Sequence, residues 1–354
     1  MDELFYDAID MLKGMISIPS ISRDEAKVAD YIEAQLSSFG LNPSRQANNL
    51  WCIAPDFSSD KPTLLLNSHI DTVKPANGWT FDPFTPTQED DRIYGLGSND
   101  AGASVVALTA AFRHLCDVER NYNLILLLSC EEEVSGRNGI EAALPLLPKI
   151  DVAIVGEPTG MHPAIAEKGL MVLDGEIKGV SGHAARNEGV NAIYRAMEVV
   201  NTLRNLTFNK VSDMLGPIKI TVSQIEAGTQ HNVVPDLCKI VVDVRSTDAY
   251  SNEDTLAIIR NSVPYEWCTL TPRSTRLNPS GISMEHPIVQ RLNTLERKPF
   301  GSPTLSDQAL MPFPSLKLGP GDSARSHTAD EYIDCAEIRS AIQLYITLLT
   351  GLQL

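Results

Sequence analysis

The segment LLLNSHIDTV, residues 64–73, ends an apolar run with an imidazole and a carboxylate two positions apart. Side chains at positions i and i+2 of a strand point to the same face, so His69 and Asp71 can both face what lies beyond the strand. In open α/β sheets, ligands bind beyond the carboxyl ends of the strands. A single pair is equally compatible with a solvent-exposed loop, so its interpretation depends on the partners that the chain supplies.

Further acidic and imidazole residues follow apolar runs or lie in glycine-rich loops. Asp100 lies in YGLGSNDAG, LILLLSCEEEVSG ends on glutamates 131–133, VAIVGEPTG contains Glu157, and LGPGDSARSHTADEY contains His327. Each has an ordinary explanation by itself. Asp100 can cap the following helix, the glutamates can form a solvated turn or a first helical turn, and a lone histidine is usually not a ligand.

Taken together, these residues predict a metal site. Parallel strands share one carboxyl edge, so His69, the three glutamates and Glu157 are expected along the same edge. Adjacent carboxylates repel one another unless a cation lies among them. Imidazole and carboxylate ligands without a nearby cysteine suit Zn²⁺, Mn²⁺ or Co²⁺.

The elements that must position these residues alternate between strand and helix from residue 1 to about 167. Unbroken apolar runs occur at 50–54, 64–66, 124–128 and 152–155, and helix-length stretches lie before and between them. Strands that are hydrophobic on both faces and separated by helices predict an α/β domain with a mostly parallel sheet, flanked by helices.

The pattern changes near residue 168. LMVLDGEIKG, PIKITVSQIEAG and DLCKIVVDVRS alternate like half-exposed strands, and helices are predicted at about 189–205 and 253–262. This β-α-β-β-α order predicts an inserted α+β ferredoxin-like domain over 168–283. Residues 1–167 and 284–354 are then one discontinuous domain.

Composition and charge exclude several classes of protein. A chain of 354 residues with 43% hydrophobic and 21% charged residues is typical of a globular protein. Its net charge of −16 argues against nucleic acid or an anionic membrane as a partner. The six cysteines form no CxxC pair, the first residues do not resemble a signal peptide, and no apolar run approaches the ~20 residues of a membrane span. We therefore expect a cytoplasmic protein.

Six motifs in order carry a resemblance to a known family: SHIDTV, GLGSND, EEE after a strand, GEPT, GVSGHAA and SHTADEY, within residues 68–332. They resemble the zinc-dependent deacylase and exopeptidase family that contains acetylornithine deacetylases, succinyl-diaminopimelate desuccinylases, aminoacylases and glutamate carboxypeptidases. The resemblance implies that the discontinuous domain is a metallopeptidase-like catalytic domain. It also implies that 168–283 is a dimerisation or lid domain of a homodimer.

The resemblance implies two metal ions, with Zn²⁺ as the first expectation and Co²⁺ or Mn²⁺ as alternatives. Asp100 would bridge the two ions, His69 and Glu157 would complete one site, and Glu133 and His327 the other. All five positions match the motifs of the family.

The same resemblance implies roles for neighbouring residues. Asp71 matches a carboxylate that orients the first histidine ligand, and Glu132 matches the general base that takes a proton from the attacking water. Glu131 is then the bystander of the three glutamates.

Three residues of the inserted domain also match. His183 in GVSGHAA matches a histidine that, in dimeric members, stabilises the oxyanion in the partner's site. Asn232 in HNVVPD and Arg245 in VDVRS match positions that bind the substrate carboxylate. Arg245 can equally be a sheet-surface residue paired with Asp243.

Two departures from the family pattern stand out. Asp100 is followed by Ala101 and Gly102 where the family commonly has a lysine, and the proline usual after His183 is missing. Neither removes a proposed ligand or the base.

PSLKLGPGDSARSHTADEYI is most similar to the acetylornithine and acetyl-lysine deacetylase branch. We therefore expect hydrolysis of an N-acyl-amino acid, N²-acetylornithine or N²-succinylornithine, to ornithine in arginine biosynthesis. Succinyl-diaminopimelate desuccinylase and dipeptidase activities are the alternatives. A metal-free, non-catalytic binding protein is the alternative from another class.

Overall fold

The structure of the chain, a computed structural model, describes all residues from 1 to 354 and contains eight α-helices and eighteen β-strands. The helices are α1 Asp2–Ile16, α2 Ala26–Ser38, α3 Ala103–Cys116, α4 Ile140–Ala143, α5 Ala192–Asn205, α6 Asn252–Ser262, α7 Pro287–Thr294 and α8 Cys335–Leu349. The strands are β1 Ser44–Gln46, β2 Asn49–Ile53, β3 Thr63–His69, β4 Thr87–Glu89, β5 Arg92–Tyr94, β6 Asn123–Ser129, β7 Val152–Val155, β8 Ala164–Glu167, β9 Met171–Lys178, β10 Gly182–His183, β11 Lys219–Ala227, β12 Val233–Val234, β13 Leu237–Arg245, β14 Cys268–Pro272, β15 Ser280–Gly281, β16 Phe300–Ser302, β17 Ser315–Lys317 and β18 Tyr332–Asp334.

These elements form two compact units. The first comprises Met1–Ile165, Gly281–Phe300 and Ser306–Leu354, and the second comprises Ala166–Ser280 and Gly301–Leu305. Their assignment as a catalytic and a dimerisation domain remains a prediction. None of the helices has both the length and the apolar character that crossing a membrane requires.

The unbroken apolar runs form the centre of the main sheet, in the order β1-β2-β6-β3-β7-β17-β8, with β15 and β16 at the β8 edge. Strands β6, β3, β7 and β17 run parallel to one another. The expected α/β class with a mostly parallel central sheet is therefore confirmed. Strand β2 is antiparallel to β6. Strands β2 and β3 are connected by residues 54–62 alone, which contain no helix. Parallel strands usually need a longer, helical connection, so this short connection agrees with the antiparallel direction of β2.

Both faces of this sheet are buried, as the apolar pattern predicts. On one face, Leu64, Leu66 and Leu126 belong to a core with α1, α2, α3 and α8. On the other face, Leu65 and Ile125 belong to a second core that includes residues of α4. Successive residues of a strand point to opposite faces, so consecutive leucines divide between the two cores. The strands are thereby held from both sides.

The second unit has the strand and helix order β9-α5-β11-β13-α6-β14, apart from the short strands β10 and β12. Its sheet is antiparallel in the order β11-β13-β9-β14, and residues of α5 and α6 share a single core with it. This is the ferredoxin-like arrangement that the pattern predicts. Strand β14 was not among the predicted strands, because Leu270 is its one buried residue and the apolar alternation is weak.

The cores lead to a stability prediction. Leu126 in β6 is fully buried, whereas Leu146 exposes 55% of its surface. Leu126→Ala should lower the free energy of unfolding by about 2–5 kcal/mol through lost burial and a cavity. Leu146→Ala should change it by less than about 0.5 kcal/mol. Urea denaturation measures both, and equal costs would contradict the packing of β6.

Candidate active site

The carboxyl ends of three neighbouring parallel strands bring the predicted site residues of the first unit together. His69 is the last residue of β3, the glutamates 131–133 follow β6, and Glu157 follows β7 by two residues. Asp100 lies in the turn before α3, and His327 lies in the loop before β18. The strands determine the positions of the first three groups, and loops contribute the other two.

The carboxylate of Asp100 lies between two imidazoles. Its Oδ1 is 3.2 Å from Nε2 of His69, and its Oδ2 is 3.7 Å from Nε2 of His327. One oxygen therefore faces each ring. This is the geometry that a carboxylate needs to share two cations.

Glu157 and Glu133 complete the two sides of this arrangement. Oε1 of Glu157 is 3.8 Å from Nε2 of His69. Both carboxylate oxygens of Glu133 are 3.1 Å from Nε2 of His327. Each imidazole thus contacts Asp100 and one further carboxylate.

Two groups of residues have candidate ligand atoms that all lie within 4.8 Å of one another. One group is His69, Glu132 and Glu157, and the other is His69, Asp100 and Glu133. Oε1 of Glu157 is buried without a hydrogen-bond partner, which is costly for a carboxylate oxygen unless a cation contacts it. The nitrogen and oxygen donors fit Zn²⁺ and similar divalent ions.

The electrostatics of the site also favour a cation. Burial, together with the charges of Glu157, Asp307 and Glu133, raises the pKa of Glu132 well above its usual value. Burial raises the pKa of Glu157 to about 8, and the charge of Asp100 adds to this effect. Each of these carboxylates is thus costly to ionise among the others, and a bound cation would remove that cost.

His327 illustrates the competition between a proton and a metal. Its hydrogen bond with Glu133 raises the pKa of the imidazole to about 9. A metal ion binds a neutral imidazole, so a metal ion at this ring would displace a proton.

Asp71 supports two parts of the site. Its backbone oxygen is 2.9 Å from Nδ1 of His69, whereas the carboxylate Oδ1 is 3.6 Å away. The carboxylate instead accepts hydrogen bonds from the backbone N–H groups of Glu132 and Glu133 and from the Ser22 hydroxyl, at 3.0, 3.2 and 2.6 Å. Asp71 thus holds the glutamate turn as well as the histidine. The predicted role covered only the histidine.

Glu131 makes contacts apart from those of its two neighbours. Its carboxylate accepts hydrogen bonds from the side-chain amide of Asn138, at 2.9 Å, and from the Asn138 backbone N–H. Its own N–H donates to Glu25 at 3.2 Å. These contacts agree with its interpretation as a bystander.

Two buried carboxylates beside the site were missed by the sequence reasoning. Asp307 accepts a hydrogen bond of 2.5 Å from the hydroxyl of Ser129, the last residue of β6. Glu331 accepts hydrogen bonds from the turn that contains Asp100. Glu331 lies in the SHTADEY motif, four residues after His327, and that closeness was the available signal.

In the second unit, His183 and Asn232 lie on adjacent segments. Strand β10, which contains His183, pairs antiparallel with β12, and the N–H of Ala184 donates to the backbone oxygen of Asn232 at 3.0 Å. His183 is exposed, and its Nδ1 accepts the N–H of Ala185 at 3.1 Å. This local hydrogen bond orients the imidazole and therefore its other nitrogen, Nε2.

Arg245, at the end of β13, pairs with Asp243. Its Nε and Nη2 donate to the two carboxylate oxygens at 3.0 and 3.3 Å. This is the alternative that the sequence left open, and a role in substrate binding remains a prediction.

Comparisons with known proteins bear on the family. The family model described as Peptidase family M20/M25/M40 matches residues 65–351. An acetylornithine deacetylase of Proteus mirabilis is 27% identical, over 95% of this chain and 94% of that protein. A succinyl-diaminopimelate desuccinylase of Dinoroseobacter shibae is 29% identical, over 72% of each.

Solved structures share the fold at low identity. Aminopeptidase PepT of Bacillus cereus has a TM-score of 0.80 at 17% identity, over 98% of both chains. The YxeP protein of Bacillus subtilis, described as a dinuclear metal-binding peptidase of family M20, has a TM-score of 0.75 at 14% identity. That match covers 99% of this chain and 98% of the other.

The fold, the site and these relatives define a metal-dependent amidohydrolase. Because the family model matches most of the chain, the chain belongs to peptidase family M20/M25/M40. The resemblance inferred from the six motifs is thereby confirmed.

Proposed function

We propose that the protein uses two divalent cations to hydrolyse the amide bond of an N-acyl-amino acid. The single observation that carries this proposal is the position of the Asp100 carboxylate, with one oxygen facing His69 and the other facing His327. Our first candidate substrate is N²-acetylornithine, which would give ornithine and acetate in arginine biosynthesis.

The proposed ligands follow from the contacts of the two imidazoles. His69, Glu157 and Asp100 would hold one ion, and Asp100, Glu133 and His327 would hold the other. The distances of 3.8 Å from His69 to Glu157 and 3.1 Å from His327 to Glu133 support this division. Zn²⁺ is the proposed ion, and Co²⁺ or Mn²⁺ suits the same ligands.

The proposed chemistry assigns the proton transfers to Glu132. When bound, a pair of divalent cations polarises an amide carbonyl and lowers the pKa of an attacking water to around 7. Glu132 takes the proton of that water and delivers it to the leaving nitrogen. Its place within 4.8 Å of His69 and Glu157, and the hydrogen bond from its N–H to Asp71, support this role.

The choice of substrate is supported by sequence relatives. The deacetylase of Proteus mirabilis matches over almost the whole chain. N²-succinylornithine is kept as a variant, because the desuccinylase relative acts on a succinyl group by its name. The peptidase structures share only the fold with this chain, at 14–17% identity, so they are no argument for a dipeptide substrate.

We also propose that the second unit mediates homodimerisation, with His183 donating to the oxyanion in the partner's site and Asn232 and Arg245 binding the substrate carboxylate. Strand β11 is an edge strand of the antiparallel sheet, and α5 exposes Tyr194 and Met197 by 68% and 62%. An exposed edge strand and large exposed apolar side chains are typical of association surfaces.

A substrate panel tests the reaction. N²-acetylornithine, N²-succinylornithine, succinyl-diaminopimelate and one dipeptide are incubated with the protein, with and without chelator, and amine release is measured. We expect chelator-sensitive release from N²-acetylornithine, because the proposed ions polarise the scissile carbonyl. If the protein binds two metals but releases no amine from any compound of the panel, the proposed substrate is contradicted. If it releases no amine and binds no metal, a non-catalytic binding protein is favoured.

Glu132→Gln tests the assignment of the base. Turnover should fall by at least about 10²-fold because the amide cannot accept the proton, while metal content stays near two per chain. Glu131→Gln is the matched control, because the neighbouring carboxylate contacts Asn138. Loss of metal from Glu132→Gln would instead make Glu132 a ligand.

His183→Ala tests the action across a dimer. The variant should keep its metals and lose about 10²–10³ in rate, the usual effect of removing an oxyanion donor. Mixed in equal amounts with Glu132→Gln subunits, it should recover about a quarter of wild-type activity. Random exchange makes about half of the dimers hybrids, and one of the two sites in each hybrid is intact. Full activity in a monomer confirmed by light scattering, or no recovery in a proven hybrid, would exclude the arrangement.

A further inference from the structure

Glu331 is a buried carboxylate whose hydrogen bonds all point to the turn that contains Asp100. Its side chain is 2% exposed. Its Oε1 accepts the backbone N–H groups of Asn99 and Asp100, both at 2.9 Å, and its Oε2 accepts that of Gly97 at 3.1 Å. Three donors within four residues of one turn are thus satisfied by one residue, which lies 231 positions from Asp100 in the chain.

The turn cannot satisfy these donors by itself. Gly97 has a φ of +76°, a left-handed conformation that glycine adopts readily, and α3 does not begin until Ala103. Asn99 and Asp100 are at the start of a single π-helical turn, Ser98–Gly102, and Gly97 precedes it, so these N–H groups have no acceptor within the turn. Buried N–H groups without acceptors are strongly disfavoured, so the turn depends on an acceptor from elsewhere in the chain.

The strand pair β5–β18 explains how Glu331 reaches this turn. The two strands are antiparallel, with Tyr94 opposite Tyr332. The Asp100 turn follows β5 and the His327 loop precedes β18, so both leave the same end of the pair. Asn99 adds hydrogen bonds across the two segments, donating to Asp322 and Ser326 and accepting from the N–H of Asp322.

We propose that Glu331 is a positioning residue that holds the Asp100 turn against the His327 loop, so that Asp100, Glu133 and His327 are arranged before a cation binds. This inference rests on the ligands assigned in the proposed function. Residues that orient metal ligands typically change metal affinity or activity by about 10–100-fold when they are replaced. The other proposed ligands, His69 and Glu157, follow central strands and do not depend on Glu331.

The neighbouring Asp330 provides a matched control. Its carboxylate also accepts three hydrogen bonds, from the N–H and hydroxyl of Thr80 and the N–H of Phe81, at 2.8, 2.8 and 3.3 Å. The two adjacent carboxylates therefore each tie one loop to the segment before β18. Of these two carboxylates, only Glu331 accepts hydrogen bonds from the turn of a proposed ligand.

The first experiment measures amide hydrogen exchange of the metal-free protein. Glu331→Ala should speed exchange at Gly97–Asp100, and Asp330→Ala should speed it at Thr80–Phe81 and leave Gly97–Asp100 unchanged. Glu331→Gln should be intermediate, since its oxygen still accepts from Asn99 and Asp100 while its amide group faces Gly97. If Glu331→Ala does not fold, Glu331→Gln carries the test.

The second experiment titrates the metal-free proteins with Zn²⁺ by calorimetry. Because Asp100 is assigned to both ions, Glu331→Gln and Glu331→Ala should weaken both binding events, by about 10–100-fold, and excess Zn²⁺ should restore turnover in Glu331→Gln. Asp330→Asn should bind both ions as the wild type does.

Wild-type exchange at Gly97–Asp100 together with wild-type Zn²⁺ affinity in both Glu331 variants would overturn the inference. A wild-type protein that binds no Zn²⁺ would contradict the proposed function instead. In that case the exchange comparison would still decide whether Glu331 holds the turn.

Discussion

The mutual repulsion of buried carboxylates is the constraint on which the catalytic end of this molecule depends. Asp100, Glu132, Glu133 and Glu157 converge at one sheet edge, and the imidazoles of His69 and His327 lie among them. Burial raises the pKa of Glu132 and Glu157, so ionising these two carboxyl groups is unfavourable without added positive charge. The charge of the buried Lys317 lowers the pKa of Glu157, yet burial and the neighbouring carboxylates still hold that pKa at about 8, so a bound cation would stabilise the ionised site.

Such a site needs a scaffold that resists the repulsion. The central strands supply it, because alternate residues of β3 and β6 are packed into separate cores on the two faces of the sheet. The turns between strands lack that support and depend on carboxylate acceptors instead. Asp71 accepts two N–H groups of the glutamate turn, and Glu331 accepts three of the Asp100 turn. The strand ends and the turns are therefore stabilised by different interactions, apolar packing in one case and charge-assisted hydrogen bonds in the other.

Membership of the family sets the reaction class and leaves the substrate open. Structures that share the fold at 14–17% identity include an aminopeptidase and a dinuclear metal-binding peptidase, while sequence relatives at 27–29% are named as deacylases. The choice of substrate depends on the residues that contact the groups on either side of the scissile bond.

The sequence by itself determined the α/β class, the ferredoxin-like insertion and the residues that converge on one edge, because apolar periodicity is local and parallel strands share a carboxyl end. It did not reveal the antiparallel direction of β2 or the weakly patterned β14, and it left open whether Arg245 pairs with Asp243 or binds substrate. The role of Glu331 was also missed, because its hydrogen bonds are not local in the chain. Its partners are more than 200 residues away, and a hydrogen bond over that separation has no signature in local periodicity or composition. Only the tertiary structure decides which buried donors a carboxylate satisfies.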